Sequence, residues 1–207
     1  MPRKRLIIPL LLLGGACAPA LQPPPPLAPL PEPPAESPLP GEPLPDVATL
    51  AREAELAPLR ERGLMVPVVG VSPWQIPDTY DAFRDGGRRH DAQDIFAARG
   101  TAVLAADDGV ILRIGTNALG GNVIWATDSD RRYAYYYAHL DRYARGLREG
   151  QQVRRGEVLG FVGTTGNAPP ETPHLHFQVM RMPDERRYAN GSPFNPLPFF
   201  TTPGITR

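Results

Sequence analysis

The sequence predicts a mainly β protein, a twisted antiparallel sheet in packed or folded layers with little helix, preceded by a proline-rich segment. Three observations carry this. Short β-branched and aromatic runs, punctuated by Gly- and Asp-containing turns, fill residues 101–181. About half of the 27 prolines fall between Pro19 and Pro45, a stretch with no aromatics and few aliphatics. Its acids are scattered (Glu32, Glu36, Glu42, Asp46), so it cannot bury a core and is expected to be disordered or polyproline II. The remainder is long enough to enclose one core.

The elements follow in order. Arg3, Lys4 and Arg5 form a positive start, and Leu6 to Leu13 an apolar stretch too short for a membrane span. Residues 1–16 therefore read as an export signal. Gly14-Gly15-Ala16-Cys17 resembles the lipobox of bacterial lipoproteins, whose cysteine is lipidated, although Gly14 stands where an aliphatic residue is usual. The rival is cleavage after Ala20, which would release a soluble protein. Cys17 is the single cysteine, so lipidation explains an otherwise unpaired thiol, and no disulfide supports the fold. Residues 17–46 form the lipidated N-terminus and linker; about 25 residues at roughly 3.1 Å each reach on the order of 75 Å.

Residues 47–80 form a short helix and an arm. Asp46 caps a helix over Val47 to Ala57, with Leu50, Ala54 and Ala57 at helical spacing and Pro58 or Gly63 ending it. Leu64 to Val71, with Pro67 inside, suits an edge strand or extended arm. Strands follow within 81–200. Thr101–Ala106 and Val110–Gly115 form a hairpin about Asp107-Asp108-Gly109; Asn122–Thr127 and Tyr133–Leu140 form another about Asp128-Ser129-Asp130. Val158–Gly163 and Leu175–Arg181 are further strands, and 201–207 is a tail. Alternation puts Tyr133, Tyr135 and Tyr137 on one face with His139, either lining a groove or packing across strands.

The four histidines are His90, His139, His174 and His176. In a strand, His174, His176 and Gln178 share one face and Leu175, Phe177 and Val179 the other. His90-x-x-x-Asp94 follows Gly86-Gly87 and runs into Ile95-Phe96 and Arg99-Gly100, so it sits at a strand rather than on a helix. Two imidazoles and a carboxylate make the usual three-ligand catalytic zinc set, and two further histidines remain to move protons. Cys17 lies far away in the leader, so no thiolate joins the set. A net charge of zero gives no electrostatic footprint for nucleic acid.

Residues 89–179 resemble the M23 family of zinc endopeptidases, the lysostaphin-like or LytM-type peptidoglycan hydrolases. The matching pieces run in family order: His90-x-x-x-Asp94, Gly121-Asn122-Val123-Ile124, Tyr137-Ala138-His139-Leu140, Gly160-Phe161-Val162-Gly163-x-x-Gly166 and His174-Leu175-His176-Phe177. The resemblance implies a groove floored by strands, with one Zn2+ held by His90, Asp94 and His176 at its base. It puts His139 and His174 at the two catalytic positions. His174 is assigned base character, because it lies one side chain along the strand face from His176. The implied activity is hydrolysis of peptide cross-links in the bacterial wall. Both a Gly-Gly bridge and a D-amino-acid cross-link are within the family's range.

Two positions depart from the family pattern. Ala92 replaces a glycine, at a cost if the position needs positive φ, and Gln178 replaces a frequent glutamate. The competing readings are a non-catalytic wall-binding or amidase-activating lipoprotein, which the five retained positions oppose, and a structural lipoprotein. Ala18 is not an aspartate, and by resemblance to lipoproteins this places the protein on the outer membrane facing the periplasm. The alternative is a soluble periplasmic or secreted protein.

Overall fold

The computed structural model describes residues 46–84 and 87–201. The export signal, Cys17, the proline-rich linker up to Pro45 and residues 202–207 lie outside the described residues. The elements are α1 (Val47–Arg62), β1 (Leu64–Met65), β2 (Phe83–Arg84), β3 (Arg88–Arg89), β4 (Gln93–Phe96), β5 (Ala102–Leu104), β6 (Gly109–Asn117) and β7 (Gly121–Asp128). They continue with β8 (Tyr133–Tyr143), β9 (Gln152–Val153), β10 (Val158–Val162), β11 (His174–Arg181), β12 (Ser192–Phe194) and β13 (Phe200–Thr201). The protein is mainly β, as its sequence predicts. No described helix is long and apolar enough to cross a membrane.

The main antiparallel sheet runs β12-β11-β8-β7-β6-β9. β10 pairs with β5 and β8, and β4 pairs with β11. β11 is the hub. From His176 to Arg181 it pairs with β8, while its other edge takes β4 first and β12 after it. Leu175, Phe177 and Val179 are fully buried on its core face, as period-2 alternation demands. The β7–β8 hairpin forms about residues 128–130 as expected. The expected β5–β6 hairpin does not: β5 pairs with β10, and β6 with β7 and β9. The turn at Asp107-Asp108-Gly109 instead carries the chain from one pairing partner to another. Asp107 is held by Arg62, Arg155 and the Tyr135 hydroxyl, so its carboxylate is an anchor for neighbouring elements.

The Asp46 side chain accepts from the Thr49 N–H at 2.7 Å, an N-cap that starts α1. The helix does not stop at Pro58. It runs on to Arg62 and ends at Gly63, whose φ of 63° suits glycine. The expected contact face is also shifted: Leu50 is exposed, while Leu56 and Leu59 are buried. The arm after α1 packs on the domain, with Leu64, Val66 and Val68 buried, and β1 pairs in parallel with β13.

Tyr133, Tyr135 and Tyr137 are core residues. They therefore pack between strands instead of lining a groove, and His139 does not share their face. The reason is local. His139 has a φ of 62°, and the β7–β8 register slips between its Asn122/Leu140 and Ile124/Tyr137 pairs. That bulge turns His139 away from the core and toward the side occupied by Tyr136.

Candidate active site and metal centre

Strand register assembles the site. On β11 and β4, His176 and Asp94 are direct cross-strand partners, and on β8 the residue opposite His176 is Ala138, the neighbour of His139. His174 sits two residues before His176 on the same face, at the start of β11. His90 reaches the cluster from the loop between β3 and β4. Beside it, Asp91 has a φ of 51°. The positive φ thus falls on Asp91 and not on Ala92, which is buried with an ordinary backbone, so alanine in place of glycine carries no conformational penalty there. Gln178 donates from Nε2 to the Asp91 carbonyl at 3.0 Å, a bond that a glutamate carboxylate could not donate.

The three histidines outside the centre of β11 are oriented in the same way. Nδ1–H of His90 donates to the Thr79 carbonyl at 2.8 Å, that of His139 to Thr165 at 2.8 Å, and that of His174 to Thr172 at 2.7 Å. Each bond fixes the tautomer and leaves the Nε2 lone pair on the far side of the ring. Sequence reasoning missed these carbonyls, because a backbone acceptor leaves no trace in residue identity. His139 is further fixed by its own N–H, which donates to the Gly120 carbonyl at 2.7 Å. The turn containing Gly120 and the loop containing Thr165 press together. A Cβ on Gly121 would stand 2.3 Å from the Thr165 backbone, and one on Gly166 2.2 Å from the Leu119 carbonyl. Both glycines also have positive φ, so the Gly-containing motifs around His139 have a steric cause.

His90, Asp94 and His176 each aim one ligand-type atom into a common space, all within 4.8 Å of one another. Nε2 of His90 and Nδ1 of His176 are 2.9 Å apart. Asp94 Oδ1 is buried and has no hydrogen-bond partner among the described residues. It nevertheless lies 2.9 Å from His90 Nε2 and 3.3 Å from His176 Nδ1. Because the His90 N–H is committed to Thr79, its Nε2 offers Oδ1 a lone pair and no hydrogen. Converging lone pairs around an unpartnered buried carboxylate oxygen are costly unless a cation lies among them. Nitrogen and carboxylate donors suit zinc, so the residues fit a zinc ion.

Burial alone would raise the Asp94 carboxyl; a proton on His176 or His90 facing it has the opposite effect, outweighs the burial and holds it well below the usual carboxylate range. Burial also lowers His176. It pushes His139 down to about 4, against the opposing pull of the Thr165 carbonyl, so that side chain is neutral at pH 7. The ring centroids of His139 and His174 are 4.9 Å apart, and those of His139 and His176 5.6 Å.

A groove of about 590 Å³ opens over these residues. The loop ahead of β11 supplies one part of its lining through Asn167, Ala168 and Pro169. Trp125 and Tyr136, with ring centroids 4.4 Å apart, supply another. Neither aromatic was singled out in the sequence. Strand alternation opposite the buried tyrosines was the signal that could have found Tyr136. Arg84 on β2 also lines the groove. Its Nη2 lies 2.7 Å from His90 Nε2 and forms an ion pair with Asp94.

Comparison with known proteins supports this picture. The chain is 41% identical over 107 residues to the L-Ala--D-Glu endopeptidase of Bacillus subtilis (strain 168), a match covering 49% of this chain and 32% of that protein. It is 29% identical over 134 residues to the Lipoprotein NlpD/LppB homolog of Pseudomonas aeruginosa, covering 64% of this chain and 41% of that one. The chain thus spans well under half the length of these curated relatives. Among solved structures, the catalytic domain of the antimicrobial peptidase lysostaphin from Staphylococcus simulans superposes with a TM-score of 0.51 at 30% identity. That match covers 60% of this chain and 90% of the lysostaphin domain. The sequence profile of Peptidase family M23 matches residues 88–196, a span that takes in β4, β8 and β11 and all four histidines. With the strand pairing, the histidine cluster and this match on more than half of its length in agreement, the chain belongs to peptidase family M23.

Proposed function

We propose that the protein is a zinc-dependent endopeptidase that hydrolyses peptide cross-links of bacterial peptidoglycan. One observation carries the reading most directly: the unpartnered, buried Asp94 Oδ1 among imidazole nitrogens, with two further oriented histidines alongside. His90 Nε2, Asp94 Oδ1 and His176 Nδ1 hold the ion. When bound, zinc supplies Lewis acidity toward the scissile carbonyl and makes a water easier to deprotonate. The chain's own residues do the rest. His174 Nε2 accepts the proton of the attacking water. His174 then returns that proton to the departing amine. The neutral His139, its single ring proton held by Thr165, presents Nε2 as an acceptor from the opposite flank and donates there only once a proton has been taken up. Both need their Nε2 free, and the Nδ1 bonds to Thr172 and Thr165 ensure it.

Cys17 carries a lipid in this reading, and the protein works at the cell envelope, on the outer membrane and facing the periplasm. The lipoprotein relative supports the envelope assignment, and the four-residue run ending in Cys17 supports the anchor. Digestion of purified wall fragments, with mass analysis of the products, tests the activity. Cleavage of an amide between stem or bridge residues that chelator abolishes and added zinc restores is the expected result. Intact fragments under zinc-replete conditions would overturn the reading.

A further inference from the structure

Arg84 has no role in the chemistry above, yet its guanidinium touches two of the proposed ligand residues. Its Nη2 contacts His90 Nε2 and Asp94. The Asp94 side chain is buried, whereas the Arg84 side chain is 42% exposed at the groove mouth. A divalent ion and a guanidinium cannot share the same donor atoms. The shared atom is His90 Nε2, whose one lone pair serves one cation at close range. The Arg84 Nη2 that holds it at 2.7 Å is the same atom that contacts Asp94 Oδ2, beside the proposed ligand oxygen Oδ1. Metal loading at His90 Nε2 therefore excludes that Nη2 from its place, and like-charge repulsion drives the guanidinium off Asp94, its single anionic partner among the described residues.

The displaced guanidinium has few places to go. It stands on the short strand β2, paired to β3, so its backbone stays beside the groove. The other arginine lining the groove, Arg89, is already paired with Asp81 and approaches Asp91 at 3.9 Å. The remaining carboxylate of the lining is that same Asp91. Arg84 is thus the groove cation left without a counter-ion once metal binds. A planar guanidinium beside the reacting centre is suited to a carboxylate, which it can engage through two parallel hydrogen bonds.

We propose that Arg84 is a specificity-determining residue. Displaced from Asp94 by the metal, it binds a free carboxylate on a substrate residue flanking the scissile amide. The inference rests on the endopeptidase reading and narrows its substrate class. Cross-links bearing a free acid next to the cleaved bond are favoured over amidated cross-links and over neutral glycine bridges.

Two measurements test it. The first is zinc affinity by chelator competition, read without turnover. Arg84→Gln removes the internal competitor and is expected to bind zinc several-fold more tightly than wild type; equal or weaker binding overturns the displacement step. The second compares kcat/KM on wall-peptide dimers with free stem carboxylates and on the same dimers converted to primary amides. Zinc-loaded wild type is expected to favour the acids by about tenfold, mainly through KM, as suits one partly exposed charge-assisted contact. Arg84→Gln is expected to bring the two rates within about twofold, and Arg84→Lys to keep an intermediate preference because it retains charge without the fork. Equal wild-type rates, or a preference that survives in Arg84→Gln, overturn the proposal while leaving the peptidase reading standing. A wild type that cleaves neither dimer removes the peptidase reading and the specificity with it. If Arg84→Gln does not fold, the wild-type ratio and the lysine variant decide the question.

Discussion

A positive φ at a histidine costs on the order of 1 kcal/mol or more, and the chain accepts it at His139. What it gains is a side chain lifted off the core face of β8 and set against His174 and His176. Both proposed proton-moving histidines should be separable from metal binding. His139→Ala and His174→Ala are expected to retain stoichiometric zinc by elemental analysis, yet lose at least about 10²-fold in turnover. Asp94→Ala or His176→Ala should lose the zinc itself, because two protein ligands rarely retain it. Loss of zinc from His139→Ala would reassign that residue as a ligand. Acidification should also act at this residue. His139 is held neutral down to about 4, whereas in the unfolded chain it protonates near its ordinary value of 6.5. The unfolded state therefore binds a proton that the folded state refuses. Stability from this source is complete above pH 6.5 and is lost as pH falls from there toward 4. In chelator-treated protein, denaturant midpoints should decline over that window and decline less steeply in His139→Gln. Asp94 acts below it, since the stability from its depressed carboxyl is complete above its unfolded value of 3.8 and is lost as pH falls below that.

At the scale of elements, β11 and α1 have different duties. The pairing of β11 with β4 and β8 brings Asp94, Ala138 and His176 into line. A slip of one residue would send both β11 histidines into the core, so the buried face of Leu175, Phe177 and Val179 also fixes the site. α1 is a latch. Leu56 and Leu59 bury apolar surface, roughly 2 kcal/mol each as an upper estimate. Arg62 bonds Asp107 at 2.7 Å and the buried Asp128 at 2.9 Å, while Arg155 binds the carbonyls of Arg62 and Gly63 at the helix end. Arg62→Ala would take a guanidinium from the buried Asp128 and from Asp107, the latter keeping Arg155 and the Tyr135 hydroxyl. A fully buried pair broken on one side costs about 3–5 kcal/mol, but Arg62 is 27% exposed, so about 2 kcal/mol is expected. Urea unfolding should show a lower midpoint at unchanged zinc content. An unshifted midpoint would mean that water replaces the guanidinium at no cost.

For the whole molecule, the proposal joins an anchor to an active domain. Cys17→Ser is expected to move the protein from the membrane fraction to the soluble fraction without altering the activity of the purified protein. Deleting Leu21–Pro45 should leave purified activity intact and reduce wall cleavage in cells, because a proline-rich chain holds the domain farther from its anchor than a flexible one of equal length. A wild-type protein that fractionates as wholly soluble would leave ordinary secretion after Ala20.

The sequence by itself determined the fold class, the family and the candidate site residues, and much of the secondary structure. Ligand-type residues are few in this chain, and His-x-His on a strand declares its own face, so His90, Asp94, His139, His174 and His176 were legible as candidates before any fold was known. The Asp46 cap and the β7–β8 hairpin were legible too, since both are written in adjacent residues. Tertiary structure decided whatever depended on distant partners. Asp107-Asp108-Gly109 carries a hairpin signal, but β5 found a better neighbour in β10. Pro58 carries a stop signal, but contacts of Leu56, Leu59 and Arg62 with the domain held the helix through it. Alternation placed His139 with the buried tyrosines, and a single left-handed residue reversed it. Arg84 reached the proposed metal ligands from a two-residue strand that nothing in its own sequence neighbourhood announced. Local rules read backbone preference over a few residues, and each of these outcomes was set by contacts made across many.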